Sequence, residues 1–141
     1  MLALPPSSIA TTARADSCSS QNCRDECGTW DTGGGQLEHG LTPEENVLKE
    51  VREEYGCTGI IQEICPYYSI VRDWQNKKTH WLALPFFIRV NPAEAINNEP
   101  DKIDEIGWFE LNNFPTPLHS AIALDLKNNA QFFKKYALMK E

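Results

Sequence analysis

The sequence predicts an α/β domain in which helices pack on a mixed β-sheet. Three observations lead to this prediction: a helix with clear start and stop signals over residues 42–56, a following region rich in β-branched and aromatic residues, and a second helical segment near the end of the chain. A chain of 141 residues, 41% of them hydrophobic, is long enough for one domain with a substantial core.

The first helix is predicted from its ends and from its apolar stripe. Thr42 is a typical N-cap residue, Pro43 follows where the first turn tolerates proline, and Glu45 completes a Thr-x-x-Glu capping box. Gly56 provides the C-terminal stop. The apolar residues at helical spacing are Val47, Leu48, Val51 and Tyr55. This stripe is expected to pack inward.

The strands are predicted from composition and from the turns between them. The segments TGIIQEICPYYSIVRDW and KTHWLALPFFIRV are rich in β-branched and aromatic residues, and the polar QNK between them predicts a hairpin or a long loop. After the acidic loop NPAEAINNEPDKIDE, the segment IGWFEL predicts a short strand. A proline-bounded connection then leads to SAIALDLKNNAQFFKKYALMK, which is predicted to be one closing helix.

Residues 1–30 are predicted to form an irregular or disordered leader, with an incomplete first strand as the alternative, and residues 31–141 to form the folded domain. Small and polar residues dominate this start, and alternating apolar residues are nearly absent. The start also lacks the basic region and long apolar core of a signal peptide. No apolar run approaches the roughly 18 residues of a membrane span, so no membrane partner is predicted.

The charge balance and the cysteines narrow the class of protein. Twenty acidic residues against 13 Lys and Arg give a net charge of −7, which argues against a partner that is a nucleic-acid polymer. A small phosphorylated ligand stays compatible, because a bound metal can reverse the local field. Five cysteines without paired zinc-type spacing indicate reduced thiols and a cytoplasmic protein. A homodimer is left open.

Three carboxylates lie close together on the first predicted helix. Glu50, Glu53 and Glu54 are three and four residues apart, so they are neighbours that repel one another by roughly a few tenths of a kcal/mol per pair. One interpretation is a solvated acidic face. The other is a site for Mg²⁺, which prefers oxygen ligands and is often completed by substrate phosphates. The run Gly33–Gly35 favours the second, since glycine lets a loop approach a ligand closely.

From Gly35 to Cys57 the chain resembles the Nudix box, G-x5-E-x7-R-E-U-x-E-E-x-G-U, in which U is a bulky aliphatic residue. The positions that match in register are Gly35, Glu50, Val51, Glu53, Glu54 and Gly56. Cys57 stands at the last U, and Glu38 falls where many members carry an acid. The segments RDECGTWDTGGG and NEPDKIDEIGWFELNNFP are also similar to family members, so the resemblance covers about residues 23–118.

Two positions depart from the box. Leu41 stands where the first Glu is expected, and Lys49 stands where the Arg is expected. In the family that Arg pairs with a metal-binding Glu and orients it, and Lys keeps the charge but not the planar two-pronged geometry. Both departures are expected to affect the rate of catalysis more than the metal site.

The resemblance implies a three-layer α/β/α sandwich and a Mg²⁺-dependent hydrolase, with Mn²⁺ as the alternative cofactor. The implied reaction cleaves a diphosphate linkage in a small molecule, a nucleoside triphosphate or another nucleoside diphosphate derivative. The implied metal ligands are Glu50, Glu53 and Glu54. The implied cofactor-binding residues of the loop are Gly34, Gly35 and Glu38. The implied catalytic residues are Glu50, Glu53 and Glu105, with Asp104 and Glu99 as further acids near Glu105.

Two other functions stay open. One is an ADP-ribose or nucleotide-sugar diphosphatase. The other is a catalytically weak Nudix-fold module that binds nucleotide or regulates, which Lys49, Leu41 and the unusual N-terminus support. The aromatic candidates for stacking on a base are Trp30, Tyr67, Tyr68, Trp74 and Trp81. The candidates for a phosphate contact are Arg24 and Arg72. The histidines expected to be structural are His39, His80 and His119.

Overall fold

The structure is a computed structural model that describes residues 2–4, 9–14, 26, 28–74, 76–111 and 113–137, with backbone only for residues 2–4, 9–14 and 74. The strands of the described residues are β1 (Leu2–Leu4), β2 (Ile9–Arg14), β3 (Thr29–Asp31), β4 (Gly59–Ile64), β5 (Tyr68–Trp74), β6 (Lys77–Ala83), β7 (Phe86–Val90) and β8 (Glu105–Phe109). The helices are α1 (Pro43–Tyr55), α2 (Ser120–Asn128) and α3 (Ala130–Ala137). None of these helices has the length and apolar character needed to cross a membrane.

Six strands form one mixed sheet. Five follow the order β3-β2-β1-β7-β4, and β8 pairs with β2. β1 runs parallel to β7, with Ala3 opposite Ile88, whereas the other pairs of this sheet are antiparallel. Strands β5 and β6 form a separate antiparallel hairpin, and Asn76 at its tip has a φ of 62°. The predicted mixed sheet and the predicted hairpin are therefore confirmed.

Strand β7, which lies between β1 and β4, separates two apolar layers, because neighbouring residues of a strand point to opposite faces. Phe86 and Ile88 belong to the buried cluster that also contains Val51 of α1. Phe87, between them, lies in a second buried cluster with Phe133 of α3, and the two rings meet edge to face with centroids 5.2 Å apart. Helices thus cover both faces of the sheet, which confirms the predicted α/β/α sandwich.

The ends of α1 follow the sequence signals. Thr42 Oγ1 accepts a hydrogen bond from Glu45 N at 3.2 Å, and Thr42 N donates to Glu45 Oε2 at 2.9 Å, so the predicted capping box is present. Gly56 follows the helix in the left-handed conformation, with φ of 62°, a geometry that glycine adopts without strain. Val51 and Tyr55 are fully buried, so the predicted stripe sets the rotation of α1 on the sheet.

The closing helix is broken, contrary to the prediction of a single helix. α2 ends at Asn128 and α3 begins at Ala130, with Asn129 between them. Asn129 N donates to Asp125 O, and Asn129 O accepts from the backbone N–H of Phe132. Asparagine favours helix ends over helix interiors because its side chain competes for backbone hydrogen bonds. Here Asn128 Nδ2 donates to Leu124 O at 2.9 Å, and the paired asparagines were the available signal.

The N-terminal segment is more regular than its composition predicts. β1, β2 and most of β3 fall within residues 1–30, the segment predicted to be an irregular leader. Their order comes from pairing with distant strands, since β1 pairs with β7 and β2 pairs with β8. Such long-range pairing leaves no local pattern in the sequence. The division between residues 30 and 31 stays a prediction.

Glu26 connects this segment to two other elements. Its carboxylate accepts hydrogen bonds from the backbone N–H of Ser120 at 2.7 Å, from the Ser120 hydroxyl and from the Arg72 guanidinium. His119 Nε2 lies 3.9 Å from the same carboxylate. Burial raises the pKa of Glu26, but the hydrogen bonds from Ser120 and the charges of His119 and Arg72 outweigh burial and hold the pKa below its usual value.

We expect Glu26→Gln to lower the free energy of unfolding near neutral pH by roughly 1.5–3 kcal/mol, the range for hydrogen bonds to charged groups. The pKa of Glu26 is lower in the folded chain than in the unfolded chain. This contribution is therefore complete above the unfolded-state pKa and is lost as the pH falls through the folded-state pKa.

Urea unfolding of both proteins near neutral pH and at an acidic pH below the folded-state pKa of Glu26 tests this dependence. Glu110→Gln, at an exposed position, is the matched control and should change stability little at either pH. A stability difference between wild type and Glu26→Gln that persists unchanged in acid would contradict the prediction.

Candidate functional site

The candidate site forms where the loop of residues 32–41 folds back along α1. Gly33 N donates to the Tyr55 hydroxyl at 3.2 Å, and Glu38 N donates to Asn46 Oδ1 at 2.9 Å. Asn46 is buried next to the apolar stripe. Sequence reasoning did not single out Asn46, although a polar residue beside the inward-facing stripe was a usable signal. The two hydrogen bonds hold both ends of the loop against the helix.

Gly35 provides the space that Glu50 occupies. A Cβ atom at Gly35 would lie 2.0 Å from Glu50 Oε1 and 2.4 Å from Glu50 Cδ, far inside van der Waals contact. Only glycine therefore lets the Glu50 carboxylate lie directly against the loop. The glycine run was predicted to let the loop approach a ligand closely. In the structure, the group that lies against Gly35 is the Glu50 carboxylate.

Three carboxylates meet beside this loop. Among the described residues, Glu38, Glu50 and Glu53 each offer an oxygen, and these oxygens lie within 4.8 Å of one another. Burial, and then the neighbouring charge of Glu53, raises the pKa of Glu50. A group of carboxylate oxygens at this spacing matches the ligand preference of a hard divalent cation.

Lys49 lies inside this group of acids. Its ammonium nitrogen is 2.7 Å from Glu38 Oε1 and 2.6 Å from Glu53 Oε1, so it joins a loop carboxylate to a helix carboxylate. These hydrogen bonds raise the pKa of Lys49 well above its usual value. The residue at the arginine position of the box therefore contacts Glu38 and Glu53 together.

Glu54 faces inward rather than toward the three-carboxylate group. Its Oε1 accepts from Gly34 N at 3.2 Å, and none of the described residues gives its Oε2 a hydrogen-bond partner. Burial is the main reason that the pKa of Glu54 rises to about 7; the bond from Gly34 lowers it, and the charges of Glu50 and Glu99 raise it further. A buried carboxylate oxygen without a donor is favourably placed for a cation.

The acidic loop is attached to the end of α1. Asn98 N donates to Glu54 O at 3.1 Å, and the Asn98 side-chain amide donates to Glu53 O at 2.9 Å. Ile96 N donates to Tyr55 O at 3.0 Å. These bonds satisfy carbonyl groups that the helix end leaves unpaired, and they bring the loop beside the carboxylates.

Glu99 follows Asn98 in this loop, and its charge raises the pKa of both Glu50 and Glu54. Sequence reasoning placed Glu105 ahead of it. Glu105 is the exposed first residue of β8 and pairs with Ala13 of β2, and Asp104 beside it is also exposed. The Glu99 carboxylate also pairs with Lys102, whose Nζ lies 2.5 Å from Glu99 Oε1, and the roles of Glu99 and Glu105 both stay predictions.

Two of the aromatic candidates have structural partners. The Trp30 ring meets Phe109 edge to face with centroids 4.7 Å apart. The Tyr68 hydroxyl donates to Asp125 Oδ1 at 2.6 Å, and burial followed by this bond raises the pKa of Tyr68. These contacts account for Trp30 and Tyr68 without a ligand.

The other candidates differ in exposure. Tyr67 and Trp81 keep 70% and 46% of their surface exposed, so both are available to a ligand.

The histidines differ in their surroundings. His39 and His80 are exposed, whereas His119 caps α2 by accepting from Ala121 N. Arg72 pairs with Glu26 as described above. The candidate side chains outside the described residues are those of Arg24 and Trp74. Of the cysteines in the described part, Cys57 and Cys65 are buried free thiols.

Comparisons with known proteins give a family and a fold. The NUDIX domain family model matches residues 13–131. The curated NAD-capped RNA hydrolase NudC of Stutzerimonas stutzeri (strain A1501) is 30% identical over 122 residues, which cover 85% of this chain and 42% of that protein. The chain thus spans about two fifths of the length of this curated relative.

Two solved structures illustrate the shared fold. A MutT NUDIX hydrolase from Burkholderia pseudomallei superposes with a TM-score of 0.70 at 23% identity, covering 90% of this chain and 92% of that one. A NUDIX family hydrolase from Clostridium perfringens gives a TM-score of 0.65 at 11% identity, covering 99% and 94%. At these identities the likeness concerns the fold alone.

We expect Gly35→Ala to disrupt the site while the domain stays folded. The added Cβ meets only the flexible end of Glu50, so the carboxylate must move away and the group of acids is broken up. Binding of Mn²⁺, measured by calorimetry, should weaken by about tenfold or more, the usual loss when the support of a metal ligand is removed. The thermal midpoint without metal should change little.

Gln36→Ala, at the next and exposed position, is the matched control and should bind Mn²⁺ like wild type. Unchanged Mn²⁺ affinity in Gly35→Ala would show that the position of Glu50 against the loop does not matter for metal binding.

Proposed function

The chain belongs to the NUDIX domain family, a family of pyrophosphohydrolases, and from this premise we propose that it is a divalent-metal-dependent hydrolase that cleaves a diphosphate linkage in a nucleotide. The proposed cofactor is Mg²⁺, with Mn²⁺ as the alternative. The proposed substrate is a nucleoside triphosphate or another nucleoside diphosphate derivative.

The observation that carries this proposal is the convergence of Glu38, Glu50 and Glu53 within 4.8 Å. The donors are all oxygens, and the adjacent Glu54 Oε2 is buried without a hydrogen-bond donor from the described residues. Both features fit Mg²⁺ or Mn²⁺ better than a thiophilic metal. The chemistry that such an ion supplies when bound is charge neutralisation of the diphosphate, polarisation of phosphorus and a lower pKa for water.

The residues of the chain are proposed to bind the cation and to position its ligands. Glu50 and Glu53 are proposed to hold the cation, with Glu54 as a further ligand through its inward oxygen. The backbone of Gly34 fixes Glu54, and Gly35 leaves room for Glu50. Phosphoryl transfer requires mainly positioning and electrostatic stabilisation, which such an ordered set of side chains provides.

A carboxylate of the acidic loop is proposed to take the proton from the attacking water. Glu99 is the preferred residue, because it directly follows Asn98, whose bonds to Glu53 O and Glu54 O hold this loop at the end of α1. Glu105 is the alternative from the sequence resemblance. A general base must come within hydrogen-bond reach of the proton it removes.

The substrate class has two candidates of different size. The resemblance of the acidic loop and tryptophan strand to family members favours a nucleoside triphosphate. The name of the curated relative favours a capped RNA, although the net charge of −7 argues against extensive contact with a nucleic-acid polymer. ADP-ribose and nucleotide sugars contain the same diphosphate linkage and stay alternatives. A catalytically weak nucleotide-binding module is the remaining one, because Lys49 and Leu41 depart from the box.

A substrate panel tests the proposal. The purified protein is incubated with nucleoside triphosphates, ADP-ribose, a UDP-sugar and an NAD-capped RNA, with and without Mg²⁺. We expect metal-dependent release of product from at least one of them, and a loss of about a hundredfold or more in kcat for Glu53→Gln, the scale of losing one group that stabilises transition-state charge.

Glu44→Gln, on the same helix but exposed in its first turn, is the matched control and should retain activity. Nucleotide binding without turnover by the wild type would favour the weak module instead. Turnover that survives Glu53→Gln would contradict the assigned site.

Substitutions in the acidic loop identify the base. Glu99→Gln should lower kcat by about 10²–10⁴, the usual contribution of a general base, whereas Glu105→Gln should have a small effect. The pH–rate profiles of both variants provide the measurement, because removal of the base also removes its limb from the profile. The opposite order of effects would assign the role to Glu105.

A further inference from the structure

Lys49 already supplies positive charge to the proposed metal site. Its ammonium group lies within 2.7 Å of Glu38 and 2.6 Å of Glu53, two of the three carboxylates that converge there. The side chain is partly shielded, with 33% of its surface exposed. One lysine therefore contacts two of the three acids and offsets part of their mutual repulsion.

We propose that the Lys49 ammonium is a built-in competitor of the divalent cation, bound to Glu38 and Glu53 until a metal ion displaces it. This inference rests on the proposed function, because it concerns the same site. The inference adds that Lys49, at the position where the family pattern has arginine, lowers the affinity of the site for the metal ion.

The competition follows from the shared oxygens. A carboxylate oxygen that accepts a charged hydrogen bond from Lys49 is less available to a metal ion, and an ammonium left close to a divalent cation repels it. Both Glu38 Oε1 and Glu53 Oε1 are engaged in this way. Binding of a cation through these atoms therefore requires Lys49 to move or to give up at least one bond.

The chemistry of lysine makes the displacement feasible. Its ammonium is a compact, strongly hydrated charge on a flexible four-carbon stem, so it can swing into water. The loop does not depend on it, because Glu38 N stays bonded to Asn46 and Gly33 N stays bonded to Tyr55. Displacement thus changes the side-chain arrangement while the loop backbone keeps its anchors.

The test compares Mg²⁺ and Mn²⁺ affinities by calorimetry in wild type, Lys49→Met, Lys49→Arg and Lys135→Met, without substrate. Lys49→Met keeps the length of the side chain and removes the charge, so it should bind either ion about fivefold to tenfold more tightly, as expected for the loss of two partly exposed ion pairs. Lys49→Arg retains the charge and should bind no more tightly than wild type.

Lys135→Met controls for net charge. Lys135 also pairs with a glutamate, Glu63, but lies on α3 on the other face of the sheet. It should leave metal affinity unchanged. A gain in Lys135→Met equal to that in Lys49→Met would assign the effect to overall charge and overturn the proposal.

A spectroscopic measurement follows Lys49 in the wild-type protein itself and uses a variant only to assign the signal. ¹⁵N NMR of the lysine ammonium groups should give a Lys49 signal, identified by its loss in Lys49→Arg, that changes on saturation with Mg²⁺, while the Lys135 signal does not. A Lys49 signal that ignores bound Mg²⁺, or equal affinities of wild type and Lys49→Met, overturns the competition. Absence of cation binding that requires Glu50 and Glu53 in the wild type instead overturns the proposed function, and this inference with it.

Discussion

The burial of Val51 and Tyr55 against the sheet is the constraint on which the site depends. These residues fix the rotation of α1, and the helical period then places residues 50 and 53 at the edge of the contact and residue 54 beneath the glycine loop. The backbone positions of these residues cannot separate without unpacking the helix from the core. The hydrophobic contact between α1 and the sheet thereby holds carboxylates close together although they repel one another.

The three acids of α1 differ in burial and in the groups that they contact. Glu53 is exposed and paired with Lys49, Glu50 is half-buried against Gly35, and Glu54 is buried with a pKa near 7. The resemblance to the Nudix box implied that all three acids bind the same metal ion. The structure separates them into an outer pair that converges with Glu38 and an inner residue bonded to the loop backbone.

The family and the sandwich fold were predictable from the sequence because their signals are local. The capping box, the apolar stripe and the Nudix box all lie within residues 33–57, and each follows the rules of a single helix and its loop. The break at Asn129 had a local signal in the paired asparagines, but the pairing of β1 with β7, the pairing of β2 with β8 and the approach of Glu99 depend on contacts between distant parts of the chain. Asn98 brings Glu99 to the site by bonding to carbonyls more than forty residues earlier, which no spacing rule encodes.

The hairpin of β5 and β6 is a two-stranded sheet of its own. It is joined to the body through Tyr68 at its base and through Arg72 two pairs from its tip. Its outer face carries Val71 and Leu82, which keep 74% and 60% of their surface exposed. Residues added in matched pairs near Asn76 would lengthen this arm without altering the register of the six-stranded sheet or the setting of α1. The architecture therefore leaves a segment whose length can change while the candidate site keeps its position.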